Sequence, residues 1–141
     1  MKIAIGSDHG GYLLKENITR YLNKRKVGFK DFGAYSEESV DYPDIGRKVA
    51  KAVASKKFKF GILVCGTGLG MAMVANKVRG VRAAVCHNVY TAKMSRAHND
   101  ANILSLGGRV LKKALAKKIV DAFLRTPFEG GRHLRRVRKI G

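Results

Sequence analysis

Two rhythms of apolar and polar residues run along this chain. One is the short unbroken apolar run; the other places apolar residues every three or four positions. "KIAIGSD" opens with the first kind and predicts a short buried strand over roughly residues 2–6. "GYLLKENITRYLNKRK" follows with the second kind, its apolar face built from Tyr12, Leu13, Ile18, Tyr21 and Leu22. "VGFKDFG" predicts a second strand, and "SEESVDYPD" a turn-rich loop whose Pro43 can open a helix. That helix continues through "IGRKVAKAVAS", with Ile45, Val49, Ala52 and Val53 on one face. "FGILV" is apolar on both faces, as a central parallel strand should be. After a glycine-rich loop, "LGMAMVANKV" returns to helical spacing. "VRAAVC" predicts a fourth strand, "NVYTAKMSRAHND" a helix ending near His98, and "ANILSLG" a fifth strand. "LKKALAKKIVDAFLRT" predicts an amphipathic helix with Leu111, Leu115, Ile119, Val120 and Phe123 inward. The tail "FEGGRHLRRVRKIG" has no evident core role, and its two glycines should break it from that helix.

Strands alternating with helices through short links imply a parallel sheet with right-handed crossovers and helices on both faces. The expected fold is therefore α/β: a Rossmann-like three-layer α/β/α sandwich around a five-stranded parallel sheet. Ligands of such sheets bind at the carboxyl ends of the strands. Three groups fall there: Ser7-Asp8-His9-Gly10, Cys65-Gly66-Thr67-Gly68 and Gly107-Gly108-Arg109. His98-Asn99 instead precedes the fifth strand at a helix end. It can reach the same region only by tertiary placement or from a second subunit.

A length of 141 residues suits one domain. No apolar stretch approaches the ~18 residues of a membrane span, and the N-terminus has no signal-peptide pattern. A cytoplasmic location is expected. Two cysteines make neither a disulfide scaffold nor a zinc motif. The charge is unusual: 29 Lys and Arg against 10 Asp and Glu give +19. The basic residues are distributed along the chain at spacings expected of exposed helix faces, so a solvated surface or a general basic bias explains the excess better than polyanion binding does.

The loop "CGTGLG" concentrates the candidate chemistry. Its glycines free backbone N–H groups to turn toward one point, and a following helix adds its positive end. Such a loop holds a phosphate or an oxyanion, or is simply a tight turn. It is neither the GxGxxG fingerprint nor a phosphate loop with GKS or GKT. Cys65 at its mouth is either a thiolate favoured by the helix end or a small apolar residue closing a strand. Cys86, with no such loop behind it, reads as core. His98 can interact with a helix dipole or act as a general acid–base. Asn99 is a cap or a hydrogen-bond donor, Asp8 a cap beside His9, and His87 a lone structural or exposed histidine. Arg132 and Arg136 share a face if the tail is helical, suited to phosphate. Few acidic residues and no clustered ligands argue against a metal.

Taken together, "SDHGG", "DYPD", "GILVCGTGLGMAMVANKVRGVRAAVC", "RAHNDANIL" and "EGGRHLRRV" resemble the type B ribose-5-phosphate isomerases, whose fold is shared by galactose-6-phosphate isomerase subunits. The likeness runs through nearly the whole chain. It implies one sugar-phosphate isomerase domain over residues 1–141, with the basic segment at about 129–141 contributing to the site. It implies aldose–ketose interconversion of ribose 5-phosphate and ribulose 5-phosphate, without metal or cofactor. In that reading Cys65 is the base between C1 and C2. The amides of Gly66, Thr67, Gly68, Leu69 and Gly70 stabilise the enediolate, with Thr67 nearby. His98 opens the furanose ring. Asp8, His9 and Asn99 hold sugar oxygens, and Arg109, Arg132 and Arg136 bind substrate, chiefly its phosphate. The family is homodimeric, in some members tetrameric, with sites shared between subunits. One branch carries a glutamate base just after the glycine loop; Met71 stands there in this chain, which leaves the role to Cys65.

The exact sugar stays open among ribose 5-phosphate, allose 6-phosphate and galactose 6-phosphate. The basic excess keeps a second reading, a non-catalytic polyanion or RNA-binding module on the same fold. Against it, aromatic stacking residues are missing among the basic groups and the chain has no Trp. A nucleotide-binding protein is a third reading, weakened by the missing phosphate-loop lysine.

Overall fold

Burial of the apolar runs organises the chain, which a computed structural model describes over residues 1–141. Five strands form one parallel sheet: β1 (Lys2–Ser7), β2 (Gly28–Asp31), β3 (Phe60–Cys65), β4 (Ala83–Val85) and β5 (Ile103–Gly107), in the order β2-β1-β3-β5-β4. The helices are α1 (Tyr12–Lys24), α2 (Tyr42–Ala54), α3 (Leu69–Ala75), α4 (Val89–Ala97), α5 (Lys113–Arg125) and α6 (Arg132–Ile140). No helix is long and apolar enough to cross a membrane.

Strand periodicity divides the core in two. Ile3, Ile5, Ile62, Val64, Leu104 and Leu106 face α1 and α5, meeting Leu14, Ile18, Leu22, Ile119 and Phe123. Ala4, Leu63, Cys65 and Ile103 face α2 and α3, meeting Ile45, Val49, Val53, Met71 and Ala75. This is the expected α/β/α sandwich. Phe123 is fully buried and meets Phe60 edge to face, with centroids 5.3 Å apart. Truncating such a ring to Ala costs about 3–5 kcal/mol, so this contact anchors α5.

Local chemistry sets the helix starts. Pro43 occupies the first turn of α2, and the Asn88 side chain caps α4 by accepting from Thr91 N–H at 2.8 Å. Register fixes the ends that matter: Cys65 pairs with Gly107 and Ser7 with Val64, so β1, β3 and β5 finish at the same level.

The structure corrects three sequence expectations. Leu115 does not point inward; it is 37% exposed, because Ala116, Ile119, Val120 and Phe123 define the buried face of α5 one position further round. Leu13 and Tyr21 are not the core of α1, whose buried face is Leu14, Lys15, Ile18, Thr19 and Leu22. The tail does have a packing role. Gly130 and Gly131, at φ +71° and +56°, turn the chain into α6, which buries His133 and Val137.

Lys15 is fully buried, an arrangement no hydropathy pattern anticipates. Its Nζ lies 2.8 Å from both carboxylate oxygens of Asp31 and donates to the carbonyl of Ala34. Removing Asp31 would leave a buried charge unpaired, so this contact pins the segment after β2 onto α1.

Candidate active site

The carboxyl ends of β1, β3 and β5 bring the first set of residues together. Cys65, the last residue of β3, is only 5% exposed. Its Sγ accepts the N–H of Gly68 at 3.1 Å, so the sulfur faces the glycine loop. Gly68 sits at φ +82° with its carbonyl accepting from Ser105 Oγ at 2.6 Å, and an added Cβ would lie 3.1 Å from the Leu106 backbone. Only glycine holds that turn without strain. The N–H groups of Gly66, Thr67 and Gly70 donate to no acceptor in the chain. Leu69 N–H is taken by Thr67 Oγ1 at 3.3 Å, and the Leu69 side chain is exposed.

Asp8 caps the turn at His9–Gly11, accepting from Gly11 N–H at 3.0 Å, as its sequence position suggested. His9 Nδ1 accepts the N–H of Val40 at 3.2 Å. The neutral ring then carries its proton on Nε2, which leaves a donor. Gly11 is obligatory, because a Cβ there would sit 2.3 Å from the Val64 carbonyl. Arg109 donates its backbone N–H to Gly66 O at 3.0 Å, and its guanidinium lies over Gly66 and Gly10. No carboxylate pairs with it among the ion pairs of the chain. A fixed positive charge therefore lies beside the loop that carries the thiol.

The second set lies elsewhere. α4 runs from the carboxyl end of β4 back toward the amino end of β5, so His98, its C-cap, lies at the opposite edge of the sheet from Cys65. The five residues of β5 alone span roughly 17 Å at about 3.3 Å per residue. His98 stacks on His133 with centroids 4.2 Å apart and planes 9° from parallel. Glu129 Oε1 lies 3.9 Å from His98 Nε2 and 3.5 Å from His133 Nε2. Arg132 and Arg136 stand exposed on the same helix, α6. Burial first, then the charges of His98, Arg132 and Arg136, hold His133 below the ordinary histidine pKa, against Glu129, which pulls the other way. Asn99 is exposed beside a cleft of about 520 Å³ next to β4, and its carbonyl accepts from Arg82.

One chain thus gathers Asp8, His9, Cys65, Gly66 to Gly70 and Arg109, but not His98, Asn99, Arg132 or Arg136. No cleft of the single chain is lined by Cys65 or Arg109. The most voluminous cleft, beside β4, is not lined by Cys65.

Three contributors escaped sequence reading. His87, taken as a lone histidine, donates from Nε2 to the Thr67 carbonyl at 3.2 Å and props the loop. Ser105 does the same from below, and its signal was a single polar residue in an otherwise apolar strand. Tyr42 covers Gly70, where a Cβ would meet the ring at 2.6 Å. Cys86 is 1% exposed, and burial pushes its thiol pKa up, in keeping with a core role.

His98, Glu129 and His133 are the one trio of possible metal ligands close together. Parallel stacked rings keep their lone pairs in two parallel planes, so an ion between them would lie out of both ring planes. The arrangement is that of a ring stack beside a carboxylate, not of a chelate. Met71, in the position of the alternative base, is fully buried and carries no proton.

Across residues 3–140 the chain matches the family described as Ribose/Galactose Isomerase. It is 50% identical over 139 residues to ribose-5-phosphate isomerase B of Escherichia coli (strain K12), covering 99% of this chain and 93% of that protein. The solved ribose-5-phosphate isomerase B of Clostridium thermocellum superimposes with a TM-score of 0.99 at 60% identity, covering 100% of this chain and 95% of that one. A protein named D-erythrulose-4-phosphate isomerase from Pectobacterium atrosepticum is 44% identical over 143 residues, covering 100% of this chain and 93% of its own. On these grounds the chain belongs to the ribose/galactose isomerase family, among the type B ribose-5-phosphate isomerases.

Proposed function

We propose that this chain, an aldose–ketose isomerase, interconverts ribose 5-phosphate and ribulose 5-phosphate through an enediolate, with Cys65 as the base. The Cys65 thiolate takes the C2 proton of the open-chain aldose. The electron pair left on C2 forms the C1–C2 double bond, and the aldehyde π electrons move onto O1. A second proton then passes from the O2 hydroxyl to O1. The O2 electron pair forms the carbonyl at C2 while the C1–C2 π pair takes the proton back from the Cys65 thiol at C1, which completes the ketose and restores the thiolate. The contact from Gly68 N–H to the Cys65 Sγ at 3.1 Å carries this reading, because it turns the sulfur out of the strand core and toward the loop whose amides would meet the substrate oxygen. The free N–H groups of Gly66, Thr67 and Gly70 are suited to the enediolate oxygen.

His9, donating from Nε2, and Arg109 hold the sugar from the same chain. A second copy supplies His98 for ring opening, Asn99 for a sugar hydroxyl, and Arg132 and Arg136 for the phosphate. Two observations support a shared site: these residues lie at the far edge of the sheet, and the thiol lines no cleft of the lone chain. The homodimer works in the cytoplasm, where sugar phosphates are held.

The test is to follow ketose formation from ribose 5-phosphate with and without EDTA. Turnover unaffected by the chelator is expected; none with ribose 5-phosphate would overturn the assignment. The four-carbon relative supports a second substrate, so erythrulose 4-phosphate belongs in the same panel with the six-carbon phosphates.

A further inference from the structure

"EGGRH", residues 129–133, contributes Glu129 and His133 to the far cluster, two groups that the proposed mechanism does not yet use. We infer that Glu129, backed by His133, is the positioning residue that holds the His98 ring for furanose opening; this rests on the proposed role of His98.

Four observations converge. Glu129 donates its backbone N–H to the carbonyl of Ala97 at 3.0 Å, which fastens it to the residue before His98. One carboxylate oxygen, Oε1, stands 3.9 Å and 3.5 Å from the Nε2 atoms of His98 and His133. The rings stack at 4.2 Å, so His133 fixes the plane of its neighbour. His133 is itself 7% exposed, and its Nε2, buried without a hydrogen-bond partner, faces the Glu129 carboxylate at 3.5 Å.

The turn serves the same end. Gly130 and Gly131 occupy positive φ with open space around them, so conformation, not crowding, requires glycine. That turn folds His133 back beneath Glu129, i to i+4, while Arg132 stays outside. The stack also bears on charge: two imidazolium rings 4.2 Å apart would repel. Burial first, and then the charge of His98, hold His133 below the ordinary histidine pKa.

The experiment separates ring opening from enolisation. Ribulose 5-phosphate has its O5 blocked by phosphate and cannot close a furanose ring, so deuterium exchange at its C1 in D2O needs the base alone. Ribose 5-phosphate must be opened first. Glu129→Gln should lower kcat on ribose 5-phosphate roughly ten- to a hundredfold, the scale of a misplaced acid–base group. KM should change little and C1 exchange on ribulose 5-phosphate should persist. Glu129→Asp, which keeps the carboxylate, should recover part of the loss. His133→Gln should reproduce the same split with a smaller effect. Equal loss of both reactions in Glu129→Gln, or no loss in either, would overturn the inference. If the unmodified protein performs neither reaction, the isomerase reading fails first, which is a distinct result.

Discussion

The Sγ of Cys65 lies 3.1 Å from the N–H of Gly68, and that N–H belongs to a residue that only the left-handed conformation places there. Thiol and turn are one unit. A sulfur closing a buried strand would ordinarily be an inert apolar atom. Here the loop bends back far enough for an amide to meet it, and Arg109 adds a positive charge alongside.

Cys65→Ala should therefore remove on the order of a thousandfold of kcat, the usual range for a general base. The fold should survive, since the change deletes one small atom at the edge of the core. Steady-state turnover together with circular dichroism checks both halves. Turnover close to that of the unmodified protein would remove the thiol from the mechanism.

Gly68→Ala tests the turn. Its Cβ would sit at φ +82° and 3.1 Å from the backbone of Leu106. About 1–3 kcal/mol of stability should be lost in urea unfolding. Activity should fall further than that loss explains, because the amide facing Cys65 shifts with the loop.

His133 should give a pH signature. Its folded pKa lies below the unfolded value of ~6.5, so the unfolded chain binds more protons in the interval between the two. Stability from this site is complete above the unfolded value and declines as pH falls from there through the folded value. Urea unfolding at successive pH values from 7 downward should show the decline, and His133→Gln should flatten it. An equal slope in both proteins would assign the effect to other groups.

Complementation tests the shared site. Cys65→Ala and His98→Asn proteins are each impaired, but a mixed dimer carries one intact site built from the two unaltered residues. After subunit exchange, random mixing makes roughly half the dimers hybrid with one good site in two, so about a quarter of full activity should return on ribose 5-phosphate. No recovery above the sum of the separate variants would show that both residues serve one chain's site.

Much of this was legible in the sequence, for physical reasons that differ by element. The strand order of burial was clear because "FGILV" and "ANILSLG" are apolar on both faces, which only a covered parallel sheet satisfies. The glycine loop was clear because glycine spacing reports backbone geometry directly. What stayed hidden depends on partners distant in sequence. Lys15 counts as polar in any periodicity, and only Asp31 and the Ala34 carbonyl make its burial tolerable. His87 reaches Thr67 across 20 positions, and Ser105 reaches Gly68 across 37. The tail read as a basic appendage because arginines outnumber its two inward residues, His133 and Val137. His98 read correctly as standing apart from the strand ends, since a helix leading into a strand must finish at that strand's amino end.

Lys15 has one more consequence. Its amine is sealed from solvent, while the segment it pins leads on to Val40, whose N–H meets His9 beside the thiol. An acylating reagent should mark the surface lysines and pass this one by for as long as the segment stays closed. Its first modification would time the loosening of the wall over His9, a clock for local opening that needs no introduced label.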